Sequence, residues 1–565
     1  MEGLHLLKQL VQNKDYMIKI DLKDAYFSVP MSKQHRRFLM FTWGEELYQF
    51  TCLPFGLAPA PLLFTKLLKP VVSLLRRLGL RMIIYLDDII VLNQTQEGIL
   101  RDRDSVLWLL QNLGFVINWE KSVLQPSHTM EYLGFVINSL ELKLSLPETK
   151  MNHLVQSCRD LIQQQVSSVR TIAKVIGKLT SSMQAVFPAP LHYRHLQRLQ
   201  INGLLTGKSY ETMASLDQNC RNDLQCWIDQ ISIWNGRAII APAPDLVITT
   251  DASMRGWGAV CQGVHTRGLW TPQAATSLHI NALELKAAFC AVRAFIAKKT
   301  QLHVHLRMDN KTAITYILKM GGTRSPILLR IAQELWDYAL QNQISLTAEY
   351  LLGESNHEAD WESRHYQDPS DWKLNPHVFQ TLNTQWGPLE IDLFANRLNT
   401  QMKSFVSWFP DPFATATDAF QIPWSDLKGY CFPPFSLICR CLAKVRKNMA
   451  TIVMVTPAWP RQAWYPVLLE MSCRQPILLP PLKDLLTSPR QQVHPLAQQG
   501  SLQLAAWMVS GKPYLQKEFQ NKLPSYLAPT PGAKALQPLT IVPGHSGVTG
   551  VLKDKLIHFA PLCPL

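Results

Sequence analysis

The sequence predicts a multidomain chain of α/β and α+β units, and three observations predict it. Its 565 residues amount to three to five domains at roughly 100–200 residues each. Apolar residues make up 47% of the chain, enough for each domain to bury a core. Strand-like runs ending in acids alternate with segments of helical spacing, and this happens in two separate regions.

Composition narrows the function classes. The net charge is +14 and the isoelectric point is near 9.2, which favours a polyanionic partner, most simply nucleic acid. The eleven cysteines are scattered, Cys439 and Cys441 being the closest pair, and no paired C-x-x-C pattern suggests zinc. They read as reduced thiols of an intracellular protein, with nucleus and cytoplasm both open. No membrane partner is expected: the most apolar stretch, Val71 to Leu86, is interrupted by Arg76, Arg77 and Arg81. The N-terminus does not read as a signal peptide, and there is no internal repeat.

Residues 1–145 are organised around Tyr85-Leu86-Asp87-Asp88. Apolar, β-branched runs flank the two acids, so the segment predicts a buried hairpin with carboxylates at its turn. An isolated Asp-Asp pair is most often a polar turn. Here it has company. Met17 to Pro30 holds an alternating strand that delivers Asp21, with Tyr26 five residues on. Leu53-Pro54-Phe55-Gly56 then leads into a helix through Leu62, Leu63, Phe64 and Leu67, and Pro61 suits its first turn. Gly56 lets the backbone approach a ligand closely.

These three blocks, in this order, resemble the palm motifs of reverse transcriptases: D-x-x-x-A-[FY], L-P-x-G and Y-x-D-D. The resemblance implies that Asp21 and Asp87 hold two Mg²⁺ ions, with Mn²⁺ able to substitute. It gives Asp88 an indirect part, since side chains alternate along the hairpin. Tyr26 aligns with the gate that rejects a ribose 2′-hydroxyl. Lys121, in Leu113 to Lys121, aligns with a residue that assists the pyrophosphate leaving group. Glu131-Tyr132-Leu133-Gly134-Phe135 resembles the primer grip. Only 20 residues precede Asp21, whereas the family has a longer fingers segment there. An impaired triphosphate clamp is therefore expected.

Residues 146–240 show apolar spacing of three and four and predict a helical thumb or connection, with a basic stretch through His192, Arg194, His195 and Arg198. Residues 241–366 predict a second acidic site. A strand ends in Asp251, an amphipathic helix carries Glu284, a strand ends in Asp309, and a short helix carries Asp360. The order D, E, D, D on strand, helix, strand and helix resembles ribonuclease H, a mixed sheet flanked by helices. By that resemblance the four acids bind two Mg²⁺ ions, and Asn356 orients the backbone or substrate near Asp360.

Residues 367–385 read as a linker. Residues 386–510 predict a small α/β domain with strands at Leu389–Ala395, Tyr430–Phe435 and Thr451–Pro457. It resembles the adenine-type DNA-methyltransferase-like region of DIRS-class retroelements. Phe432 replaces the polar residue those enzymes place before Pro-Pro-aromatic, so an inactive domain is expected. Residues 511–565 read as a flexible tail rich in Pro and Gly after Ala528. No tyrosine recombinase, which DIRS elements carry, is evident.

Together these resemblances imply a DIRS-like retrotransposon Pol polyprotein fragment. Its activities would be RNA-directed DNA polymerase and ribonuclease H. Its partners would be an RNA template, a DNA primer, an RNA–DNA hybrid and dNTPs. Two alternatives stand beside this: ribonuclease H activity alone, and a non-catalytic nucleic-acid-binding remnant. Composition does not set the oligomeric state.

Overall fold

A computed structural model describes residues 2–239, 243–296, 299–365, 372–488, 493–524 and 548–562. Two compact units emerge: Met1–Ala243 with Lys319–Trp336, and Pro244–Leu318 with Asp337–Leu565.

The first unit opens with a helix, α1 (Leu4–Leu10), and the strand β1 (Tyr16–Asp21). A hairpin, β2 (Met40–Trp43) and β3 (Glu46–Gln49), precedes α2 (Ala60–Arg77), which has Pro61 in its first turn. Then come β4 (Arg81–Tyr85), β5 (Asp88–Asn93), α3 (Gln96–Asn112) and β6 (Val123–Ser127). The sheet order is β4-β5-β1-β6. The apolar runs around the acids are its hairpin strands, β4 at one edge and β5 beside it, buried at Met82, Ile83 and Ile89 through Leu92. Beyond them, β7 (Thr129–Tyr132), β8 (Phe135–Asn138) and β9 (Lys143–Ser145) form a second small antiparallel sheet.

Helices α4 (Glu148–Ile162), α5 (Val169–Ser182), α6 (Arg194–Gly207) and α7 (Gln218–Trp234) follow, as their spacing predicts. They are not a separate domain beginning at residue 146. One apolar core runs from Leu7, Met17, Ile83 and Tyr132 through Leu154, Ile172 and Trp227. The helices share this core with both sheets, so neither part buries its apolar face alone.

In the second unit, β10 (Leu246–Ala252), β11 (Gly256–Cys261) and β12 (Val264–Leu269) form an antiparallel meander. Helix α8 (Ile280–Ile296) leads to β13 (His303–Met308), which pairs parallel with β10. Strand β14 (Ser345–Tyr350) adds in parallel at the edge, giving the order β12-β11-β10-β13-β14. Helix α9 (His357–Arg364) crosses β11, where glycine replaces any side chain. A Cβ on Gly258 would lie 2.6 Å from Ser363 N.

Two expectations need correction. Residues 373–385 are not a linker: helix α10 (Pro376–Trp386) is capped by Asn375 and buries Val378, Phe379 and Leu382 against Val453 and Val455. Residues 366–371 lie outside the described residues. The last 55 residues are not uniformly a flexible tail. Helix α11 (Pro513–Asn521) and the hairpin Val548–Leu552/Lys555–His558 are ordered elements, and Ile557 is fully buried. Ala560–Pro561 pairs with Ile477–Leu478 and completes a six-stranded sheet. That sheet also contains Ile391–Asp392, Gly429–Cys431, Thr451–Pro457 and Leu504–Ser510. The stretch predicted as tail between 525 and 547 lies outside the described residues.

Candidate active sites

The first acidic group is built by strand register. Asp21 ends β1 directly opposite Asp88, which opens β5. Asp87 occupies the turn from β4, and the Leu22 amide donates to the Asp87 carbonyl at 3.0 Å. This turn is bought with strain: Leu86 has φ 57°, a region that costs a β-substituted residue roughly 1–2 kcal/mol. The far side of Asp21 is fastened by the Asn118 amide to its carbonyl at 2.8 Å and by Ser122 Oγ to its own amide at 3.0 Å. Burial pushes the Asp87 carboxyl up, with Asp88 and Asp21 adding to it and Lys121 opposing. Asp88 is tied instead to Lys19 Nζ at 3.0 Å.

Tyr26 is buried beside Phe55 and Phe64, at 4.9 and 5.4 Å between ring centroids. Burial raises its phenol, and Asp87 contributes, which puts the ring within electrostatic reach of that acid. Gly56 has φ 86°, and open space surrounds the position of a Cβ there. Lys121 is exposed.

The second group is tighter. Asp251, Glu284 and Asp309 each offer a carboxylate oxygen within 4.8 Å of the others. Asp251 and Glu284 are only 4% exposed. Burial, opposed by a 2.7 Å hydrogen bond from Ser363 Oγ, pushes Asp251 up to about 6. Burial and then the charges of Asp251 and Asp309 push Glu284 up to about 9. Glu284 Oε2 is buried without a hydrogen-bond partner. Converging carboxylates with an orphaned oxygen fit a divalent cation, which would remove both the repulsion and the desolvation cost.

Asp360 lies outside this threefold cluster, though its charge reaches Asp251 and Glu284. Its Oδ1 is held by Arg364 at 2.6 Å. Asn356 is 2% exposed and donates to the Thr250 carbonyl at 3.1 Å. It therefore tethers α9 to β10 beside Asp251. Three residues of this site were not singled out by sequence. Ser363 orients Asp251, Gly258 admits the helix, and Arg364 holds Asp360. The G-x-G of Gly256-Trp257-Gly258 and the i,i+4 spacing of Asp360 and Arg364 were the available signals.

Residues 2–137 match the family described as reverse transcriptase (RNA-dependent DNA polymerase). That reverse transcriptase match contains Asp21, Tyr26, Gly56, Asp87, Asp88 and Lys121. The chain is also 22% identical over 369 residues to the enzymatic polyprotein of carnation etched ring virus, covering 63% of this chain and 52% of the viral one. It is 23% identical over 268 residues to polyprotein P3 of Commelina yellow mottle virus, covering 46% and 13%. The chain thus spans about half of the first relative and less of the second. A foamy viral protease-reverse transcriptase solved with an RNA/DNA hybrid aligns over 66% of this chain and 48% of its own, at 17% identity and a TM-score of 0.38. Among the described residues, no helix is long and apolar enough to cross a membrane.

Proposed function

We propose that this chain is the polymerase and nuclease portion of a retroelement polyprotein, of the DIRS class. It would copy RNA into DNA and cut the RNA of the resulting hybrid. The observation that carries the reading is the placement, inside the segment that matches reverse transcriptases, of Asp21 and Asp87 at one end of a single sheet.

In the first unit Asp21 and Asp87 would hold Mg²⁺, which supplies activation of a primer hydroxyl and charge neutralisation on a triphosphate. Asp88, paired with Lys19, sets the turn and the local field. Tyr26, wedged by Phe55 and Phe64, bounds the sugar and excludes a 2′-hydroxyl. Gly56 leaves room for the nucleotide, and Lys121 offsets negative charge near Asp87. In the second unit Asp251, Glu284 and Asp309 would hold the ion, with Asp360 completing the set, and the supplied chemistry would be hydrolysis of a phosphodiester. Ser363 and Asn356 fix the backbone and carboxylate orientation that this needs. The domain after residue 386 is proposed as methyltransferase-like and inactive, since the phenyl ring of Phe432 cannot accept a hydrogen bond from a target amine.

Primer extension on a poly-rA template tests the first unit: dTTP incorporation should disappear in Asp87→Asn. Hybrid cleavage in Mg²⁺ should disappear in Asp251→Asn, and hydrolysis that persists in that variant refutes the assignment. One observation favours the narrower reading, nuclease alone. Every residue of β2 and β3 is exposed, including Trp43 at 76% and Leu47 at 64%, so this hairpin gains little support from the described chain. Cleavage without extension by the wild-type protein would establish that reading.

A further inference from the structure

The four acids of the second unit divide three to one. Asp251, Glu284 and Asp309 face one another, whereas Asp360 Oδ1 is gripped by both Nε and Nη2 of Arg364, each at 2.6 Å. Helix geometry sets this pairing, because residues four apart share one face of α9. The two side chains are 39% and 59% exposed, so the grip can open without repacking a core. The backbone between them is held independently. Ser363 donates to Asp251 Oδ2, and its own amide lies against Gly258. Arg364 can therefore swing while α9 stays in place.

A cation that takes Asp360 Oδ1 displaces this guanidinium from it, and one that takes Oδ2 of the same carboxylate still meets its positive charge at close range. A displaced guanidinium would then stand at the mouth of the acidic cluster with its donor fork unpaired. That fork matches the two oxygens of a phosphodiester, and phosphate is the anion a nucleic-acid strand brings there. We propose that Arg364 is a positioning residue with two partners: Asp360 in the free protein, and a phosphate of the bound RNA–DNA hybrid once a metal ion has taken Asp360. Arg364 thereby links hybrid binding to completion of the metal site. This rests on reading the four acids as a metal-dependent nuclease site.

The test uses the full chain carrying Asp21→Asn and Asp87→Asn, which silence the first acidic group. Mn²⁺ binding is measured by calorimetry and by electron paramagnetic resonance without nucleic acid. Hybrid binding is measured by fluorescence anisotropy in Ca²⁺ across a salt series. Arg364→Gln should bind Mn²⁺ roughly three- to tenfold more tightly, since an exposed ion pair and one like charge are removed. It should bind the hybrid more weakly, and the slope of log K against log salt should fall by about one phosphate contact. Arg364→Lys, which keeps the charge, should retain the salt slope. Unchanged Mn²⁺ affinity in Arg364→Gln overturns the grip on Asp360, and an unchanged salt slope overturns the phosphate partner. The underlying nuclease reading fails separately: there, Asp251→Asn would leave Mn²⁺ binding as it was.

Discussion

Replacing Glu284 by Gln should stabilise the metal-free protein, and by more as the pH rises. The carboxyl is raised from 4.5 in the unfolded chain to about 9 in the fold, first by burial and then by Asp251 and Asp309. Below pH 4.5 both states carry the proton and nothing is lost. Between 4.5 and 9 the unfolded state is ionised while the fold keeps the proton, so stability falls as pH rises through this window. At about 1.4 kcal/mol per unit, the loss by pH 7 is about 3 kcal/mol. Gln has nearly the same shape and no ionisation to suppress. In EDTA at pH 7, Glu284→Gln should melt higher by roughly 5 °C for a unit of about 300 residues, and the gain should nearly vanish at pH 5. Circular dichroism melting of the full chain at pH 5, 7 and 8 measures this. Mg²⁺ should raise the wild-type transition and leave the variant's nearly unmoved. A variant that melts lower than wild type at pH 7 in EDTA would refute the reasoning, because burial of an uncompensated acid would then not be the dominant cost.

Three further outcomes follow from other parts of the chain. Arg81→Met strips the bidentate partner, at 2.6 and 2.8 Å, from the fully buried Asp15 and should cost about 3–5 kcal/mol in urea unfolding; a loss under 1 kcal/mol would show the pair to be dispensable. Gly258→Ala places a methyl 2.6 Å from Ser363 N, so α9 must lift away with Asp360; hybrid cleavage should fall at least roughly a hundredfold while primer extension by the same protein is retained. Tyr26→Val should raise the ratio of ribonucleotide to deoxynucleotide incorporation by roughly tenfold or more, read from single-nucleotide extension, and an unchanged ratio would remove Tyr26 from sugar selection.

What sequence could show here was what is local. Asp21, Asp87, Asp251 and Asp309 each terminate a strand or sit in its turn, and alternation of apolar residues locates strand ends well. Glu284 and Asp360 sit on helices whose spacing is equally local. Helix α10 was legible too, since Asn375 caps it, Pro376 opens it and Val378, Phe379 and Leu382 share a face. Its polar flanks argued for a linker only because its partners, Val453 and Val455, lie some 70 residues away. The closing strand at Ala560–Pro561 is two residues long, and only pairing with Ile477–Leu478 makes it a strand. The continuity of the first sheets' core with α4–α7 is non-local in the same way, and so is the approach of α9 to Gly258.

The chain contains its own control for what a buried acid means. Asp15 is wholly buried, and everything around it neutralises it: both oxygens meet Arg81, the Gln12 amide donates to one, and Gln94 reaches the other. Such an acid is complete as a structural element. Glu284 is buried too, yet beyond one backbone hydrogen bond from Ala252 the charges that act on it, Asp251, Asp309 and Asp360, share its sign, and Oε2 has no hydrogen-bond partner. Two buried acids therefore stand in opposite electrostatic conditions within one protein. Folding alone would favour relieving the second, since a buried like-charge cluster lowers stability and an amide of the same shape would not. The arrangement makes physical sense if the missing positive charge arrives from solution. Partners, and not exposure, set the two acids apart.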